Sequence, residues 1–331
     1  MVENSKIEWT HHTFNPWEGC QRVGPGCDHC YAEARDQRFT GGAHWGPGAP
    51  RRRTSLANWR QPLAWDRAAA AAGERHRVFC ASLADVFDNA VDPAWRDDLW
   101  RLIERTPNLD WMLLTKRPGN IAKMLPVPFD FERLYPNVWL GCTVVNQDEA
   151  DRDIPKLLAV PAAVRFLSME PLLGQVRLDQ VAAPHGMAEG QPWLNALTGY
   201  AWDNDGDTCP TGDRLDLVIV GGESGPGARP MHPDWARYLR DQCQAAGVAF
   251  HFKQWGEWET ALDREQDDPD WRADYSRKFA DKGSSRWINL EGGRGFHGDR
   301  FHVMRRVGKK AAGRLLDGRT WDEMPAQKGG E

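Results

Sequence analysis

Short apolar runs bounded by Gly, Pro or Asn recur along the chain. They are Val78–Ser82, Trp111–Thr115, Val138–Thr143, Arg165–Met169, Leu217–Gly221 and Ala249–Lys253. Each is too short for a helix, and most are apolar without strict alternation, as strands buried on both faces are. Amphipathic helical patterns lie between several of them. Asp92 and Pro93 open one as N-cap and first helical residue, after which Trp95, Leu99, Leu102 and Ile103 share a face. Another runs from about Pro233 to Ala246, with Trp235, Leu239, Cys243 and Ala246 in one stripe and Gly247 as its stop. A third covers about Asp148 to Leu158, with Pro155 disturbing it. With a first strand near Thr13–Trp17, the pattern predicts seven strands alternating with helices, hence βαβ units and a parallel sheet. The predicted fold is α/β, a full or partial (β/α) barrel; a doubly wound open sheet is the alternative.

Three segments depart from this pattern. Gly41–Arg53 is rich in Gly and Pro, ends in Arg51-Arg52-Arg53, and reads as a long loop. Pro184–Asp213 is a polar insertion between the fifth and sixth strands. Beyond Trp258 the chain is charged and poor in apolar runs. The expected division is therefore a barrel over 1–258, with its insertion at about 184–213, and an extension over 259–331 packed on the barrel.

Length and composition narrow the class. At 331 residues, with 41% hydrophobic and 27% charged residues, the chain has the make-up of a globular enzyme. No run approaches the roughly 20 apolar residues of a membrane helix, and Met1–Thr10 has no signal-peptide core. A cytosolic location is expected, the host cytosol if a phage encodes the chain. A net charge of -5 does not suit a protein that coats nucleic acid. Seven cysteines in a reducing compartment point to metal or catalytic roles rather than disulfides. Most of the 17 tryptophans are expected in the core, with some able to stack on a planar substrate.

The sharpest chemical signal is Cys20, Cys27 and Cys30, spaced C-x6-C-x2-C around Gly24-Pro25-Gly26. The glycines let the loop fold back so that three thiolates converge, and a helix from Tyr31 to about Phe39 follows. Structural zinc needs a fourth ligand, for which His11, His12, His29 and His44 are candidates. A 4Fe-4S cluster usually takes four cysteines, so three leave one iron open to a small molecule. Cys80, Cys142 and Cys243 read as small core hydrophobes, and Cys209 as a remote alternative ligand.

The stretch Asn15-Pro16-Trp17-Glu18-Gly19-Cys20 through Cys30-Tyr31-Ala32 resembles the opening of the radical S-adenosylmethionine superfamily, near its spore photoproduct lyase branch. The chain as a whole resembles a phage and bacterial three-cysteine family of uncharacterised function. Ile7-Glu8-Trp9-Thr10, Leu114–Pro118, Ser168–Gly174, Val220–Gly225, Phe252–Gly256 and Leu316–Trp321 carry that likeness. The first cysteine gap is six rather than the commoner three, and His29 stands where the superfamily usually has an aromatic residue.

The superfamily resemblance implies a partial barrel with the cluster held by Cys20, Cys27 and Cys30 after the first strand. S-adenosylmethionine would sit at the mouth, and a flavodoxin- or ferredoxin-type electron donor would act as partner. Strand-end residues then become candidates: Ser82, Asp85, Thr143, Asn146, Ser168 and His29 for the cofactor, and Glu170, Glu223 and Lys253 for catalysis. The bland reading of any one of them is a loop charge, or a helix cap for Ser82, Thr143 and Ser224. Gly221–Gly225 reads either as an anion-holding nest or as a tight turn.

The leading expectation is a radical S-adenosylmethionine enzyme, its substrate a nucleic acid or nucleotide suggested by the phage context, Arg51–Arg53, Lys116-Arg117 and the tryptophans. The alternatives are a zinc-stabilised binding module without radical chemistry and a barrel that works only with a partner protein encoded nearby.

Overall fold

The computed structural model describes residues 7–127, 129–183, 192–265, 283–292 and 300–326. Seven strands form one parallel sheet in chain order. They are β1 (His12–Thr13), β2 (His76–Cys80), β3 (Leu109–Thr115), β4 (Val138–Thr143), β5 (Val164–Met169), β6 (Leu217–Gly221) and β7 (Ala249–Gln254). β1 and β7 are the two edges, so the sheet is a partial barrel. Its curl shows in Trp9, whose ring lies 4.8 Å from Phe79 on β2 and 6.4 Å from Phe166 on β5. One side chain therefore bridges strands three places apart and plugs the interior.

Alternation along the strands sorts their residues. Trp111, Leu113, Leu140, Cys142, Leu167 and Val218 join the cluster under the helices, while Met112, Trp139, Phe166 and Ile219 fill the interior with Trp9. Gly141 faces that interior because a Cβ there would sit 2.4 Å from the Phe166 ring. Towards the C-terminal ends the same face turns polar, with Thr143, Ser168, Glu170 and Lys253 lining a cavity.

The helices follow their capping residues. α1 (Tyr31–Thr40) starts at Cys30. α2 (Leu56–Ala72) is capped by Ser55, buries Trp59 and Trp65, and stops at Gly73. α3 (Pro93–Glu104) has Asp92 accepting from the Ala94 N–H. α4 (Gln147–Leu158) runs through Pro155, and α5 (Pro233–Ala246) ends at Gly247 with φ +67°. The strand expected over Thr13–Trp17 is split. β1 ends at Thr13, and Trp17–Glu18 pairs instead with Arg52–Arg53 in an antiparallel ribbon.

The described part of the insertion joins a small antiparallel sheet that begins before it, at Val181–Ala182, and is tied there to α4 by the Ala182 N–H donating to Asp151 at 3.0 Å. None of its residues lines the cavity at the strand ends. Residues 184–191 lie outside the described residues. The described part of the extension is a three-stranded antiparallel sheet that buries Trp258, Ile288 and Met304 against the main core. Its later segment straps β7, the Phe252 N–H donating to the Trp321 carbonyl at 2.9 Å. Residues 266–282, 293–299 and 327–331 lie outside the description. Among the described residues no helix is long and apolar enough to cross a membrane.

Candidate functional site

The cysteine loop is built onto the barrel mouth by local contacts. After β1, Asn15 accepts from the Leu83 N–H at 2.7 Å and its amide bonds Ser82 Oγ at 3.1 Å. Trp17 is fully buried, and Gly19 pairs with Ala84, so Asn15–Cys20 is zipped to the loop after β2. Gly19 has φ +107°, and a Cβ there would lie 2.5 Å from the His44 carbonyl. Gly24 and Gly26 let the loop lie flat on the ends of β3 and β4. Cβ atoms at these positions would meet Glu149 at 2.5 Å and Val145 at 2.9 Å. Cys30 then stands at the N-terminus of α1 as its N-cap residue.

Cys20, Cys27 and Cys30 all line one cavity of about 650 Å³ at the C-terminal ends of the strands. Ser82, Asp85, Thr143, Ser168, Glu170, Glu223, Lys253, Gln254 and His29 line the same cavity. Burial pushes the Cys20 thiol up from its usual range, Asp85 adds to this, and Arg117 opposes it. Arg117 Nη1 lies 3.5 Å from Cys20 Sγ and 3.0 Å from Asp85. Burial works against the Arg117 charge, but Asp85 and Cys20 outweigh it and hold the guanidinium protonated.

The remaining candidates take distinct places. Asp85 accepts from Thr115, the N–H groups of Phe87 and Lys116, and Arg117, so it organises the mouth between β2 and β3. Glu170 accepts from Lys253 at 2.9 and 2.7 Å and from Gln254 at 2.9 Å, a neutralised pair across β5 and β7. Glu223 grips the cysteine loop. It accepts from Arg229 at 2.6 and 2.9 Å and bonds His29 Nδ1 at 3.0 Å, while Arg229 also reaches Asp28 and the Pro25 carbonyl. Burial alone would raise the Glu223 carboxyl, but the Arg229 and His29 hydrogen bonds hold it below the usual range.

Asn146 is not among the lining residues; its side chain caps α4 by accepting from the Glu149 N–H at 3.0 Å. Ser82, Thr143 and Ser224 are not helix caps. Ser224 accepts from Gln254 at 2.9 Å, whereas Thr143 Oγ1 and Gln254 Oε1 are buried without a partner among the described residues. Gln254, a strand-end residue beside Lys253, also belongs to the lining, as does Trp45, which sequence reading passed over.

Gly221–Gly225 is a crossing of backbones rather than an anion nest. A Cβ on Gly222 would lie 2.0 Å from the Trp255 carbonyl oxygen, and one on Gly256 2.1 Å from that of Glu223. The Gly222 N–H already donates to Gln254 and that of Gly225 to Glu257. The basic run is likewise committed. Arg51 forms a buried pair with Asp88, Arg52 pairs with Glu18, and Arg53 pairs with Asp98 over the Trp59 ring. It supplies no free basic patch for nucleic acid.

The four histidines considered for a zinc site are engaged elsewhere. His11 accepts from the Arg77 N–H, His12 contacts His76, His29 bonds Glu223, and His44 bonds Asp36. One tetrahedral ion would draw its sulfurs to about 3.8 Å from one another. Among the described residues only His232, Asp234 and His302 bring three ligand atoms within 4.8 Å. There the Asp234 N–H donates to His232 Nδ1 at 3.1 Å, which puts that ring's proton on Nε2 and removes it from ligation. Three thiols around a wider cavity fit a multi-iron group better than a single ion. Cys80, Cys142 and Cys243 are fully buried and Cys209 lies on the insertion sheet, so none joins the set.

The chain belongs to a family of proteins of unknown function (DUF5131), whose model matches residues 4–325. No curated protein sequence matches it. Among solved structures it is similar to a double mutant of spore photoproduct lyase with bound AdoMet and dinucleoside spore photoproduct. The identity is 14% and the TM-score 0.41, over 92% of this chain and 71% of that one. A further spore photoproduct lyase structure, complexed with dinucleoside spore photoproduct, has 16% identity and a TM-score of 0.36 over the same shares.

Proposed function

We propose that this chain is a radical S-adenosylmethionine enzyme whose Cys20, Cys27 and Cys30 hold a 4Fe-4S cluster at the mouth of the partial barrel. The observation that carries the reading is that all three thiols share one cavity with the polar inner ends of the strands. When bound, the cluster and S-adenosylmethionine would supply one-electron cleavage to a 5′-deoxyadenosyl radical that abstracts a substrate hydrogen.

The chain's own residues prepare that chemistry. Cys30 stands at the α1 N-terminus and Cys20 beside Arg117, where the two sulfurs would ligate the cluster. Thr143 Oγ1 and Gln254 Oε1 offer buried polar atoms to a ligand in the cavity, and Ser168 lies beside them on β5. Glu170 and Lys253 form the polar wall where a substrate would meet both a proton acceptor and a proton donor. His29 and Glu223 hold the loop rather than react. Trp9 and Phe79 floor the cavity and keep water from below.

The substrate we favour is a nucleotide or nucleic acid, with Lys116 and Lys309, both on the cavity lining, as phosphate contacts. The protein would work in the cytosol, the host's where a phage encodes it, with a flavodoxin- or ferredoxin-type donor. A partner protein encoded nearby fits the same picture. The test is anaerobic incubation of reconstituted protein with dithionite and S-adenosylmethionine, followed by chromatography for 5′-deoxyadenosine. Formation by wild type and none by Cys27→Ser supports the reading. Tight zinc with no iron uptake and no 5′-deoxyadenosine supports the binding module instead.

A further inference from the structure

Arg117 stands in an unusual position. Its guanidinium is nearly buried, 9% exposed, on the loop after β3, yet it reaches the first cysteine of a different loop at 3.5 Å. Its other nitrogen donates to the Gln21 carbonyl at 3.2 Å. Its own N–H donates to Thr115 Oγ1 at 2.8 Å, and Thr115 donates to Asp85 at 2.7 Å. Asp85, 6% exposed on its side chain, pairs with Arg117 at 3.0 Å. The cation is therefore fixed, with Cys20 Sγ and Asp85 Oδ2 sharing its Nη1 and the Gln21 carbonyl on Nη2. A mere tether between loops has no need of a charged pair out of water, since burying one costs more than a neutral contact does.

We infer that Arg117 is a positioning residue that raises the reduction potential of the group held by Cys20, with Asp85 as the counterweight that limits the rise. The inference rests on the cluster reading above. The couple is the one-electron step of the cluster from its 2+ to its 1+ state, which adds negative charge to the sulfurs. A guanidinium donating to Cys20 Sγ stabilises the reduced form, because hydrogen bonds to cluster sulfurs and nearby charge set the potential. Asp85 opposes it as a negative charge on the same Nη1 that donates to the sulfur.

The arrangement gives opposite signs for its two members. Arg117→Met leaves Asp85 facing the sulfur alone, so the midpoint potential falls. Asp85→Asn leaves the Arg117 charge uncompensated, so the potential rises. Arg117→Lys keeps the charge and lies between Arg117→Met and wild type. A purely structural loss would move both variants the same way, through looser packing and more solvent.

The experiment is redox-poised electron paramagnetic resonance on anaerobically reconstituted full-length protein, wild type and the three variants. Iron and sulfide content are measured on each sample. Shifts of opposite sign in Arg117→Met and Asp85→Asn support the inference. Equal potentials, or shifts of the same sign, at wild-type iron content overturn it. If Arg117→Met loses its iron, Arg117→Lys and Asp85→Asn decide: a rise in Asp85→Asn and a smaller fall in Arg117→Lys support it, and anything else overturns it. Wild type that takes up no iron fails the cluster reading itself, which is a separate result.

Discussion

Gly222→Ala tests how the fold positions the site. Gly222 is not in the left-handed region, so its requirement for glycine is steric alone. A Cβ would stand 2.0 Å from the Trp255 carbonyl oxygen and 2.6 Å from its carbon. Both are backbone atoms at the end of β7, and the Gly222 N–H is bonded to Gln254 beside them. Neither strand end yields as a side chain would, so relief requires separating two crossing backbones by more than about 1 Å. The cost sits at the upper end of overpacking, about 3 kcal/mol, or a melting point about 6 °C lower. The next residue, Glu223, carries the clasp on His29 and Arg229, so the displacement reaches the cysteine loop. Gly73→Ala is the control. Its φ is +66° and nothing lies within 4 Å, so it costs only the left-handed strain of about 1 kcal/mol. The assay is thermal melting together with iron retention after gel filtration. Gly222→Ala should melt below Gly73→Ala and lose iron that Gly73→Ala keeps. Gly222→Ala with wild-type melting and full iron would refute the crossing as the support of Glu223.

Other expectations follow from the same contacts. His251 is 1% exposed on β7, and burial lowers its pKa from 6.5 to about 4. The unfolded chain then binds the extra proton between those values, and stability falls as pH drops through the window. By urea denaturation, wild type should lose about 2 kcal/mol more than His251→Leu between pH 7 and 4.5; equal losses would contradict the assignment. Glu223→Gln weakens a clasp of charged hydrogen bonds worth about 1.5–3 kcal/mol each. Hydrogen exchange should accelerate in 24–30 and 225–230 while the amides of β3 and β4 stay protected. Cys209→Ser, outside the cavity, should keep its iron, whereas Cys30→Ser should lose it.

The strands were legible because they are buried on both faces and so read as short apolar runs between breakers. Val138–Thr143 and Leu217–Gly221 are bounded as their apolar pattern predicts. α3 and α5 were legible from Asp92-Pro93 and Gly247, local signals that act within a turn. α2 went unmarked because alanines and polar residues blur its stripe, although Ser55 and Gly73 flank it as caps. Asn146 was read as a ligand contact when the Asn146-to-Glu149 spacing already suited a helix start. The cysteine loop was visible as a motif, but its supports were not. Glu223 meets His29 across 194 residues, and Arg117 meets Cys20 across 97. Arg51–Arg53 looked like a basic patch because Asp88, Glu18 and Asp98 are distant in sequence and adjacent only once folded.

The most direct measurement of the central claim is electron paramagnetic resonance of anaerobically purified, dithionite-reduced protein, with and without S-adenosylmethionine, alongside iron, sulfide and zinc analysis. The account predicts about four irons per chain and a spectrum that changes when S-adenosylmethionine is added, because one iron is left open by the three cysteines. Stoichiometric zinc with no iron after reconstitution, or an iron signal indifferent to S-adenosylmethionine, would contradict it.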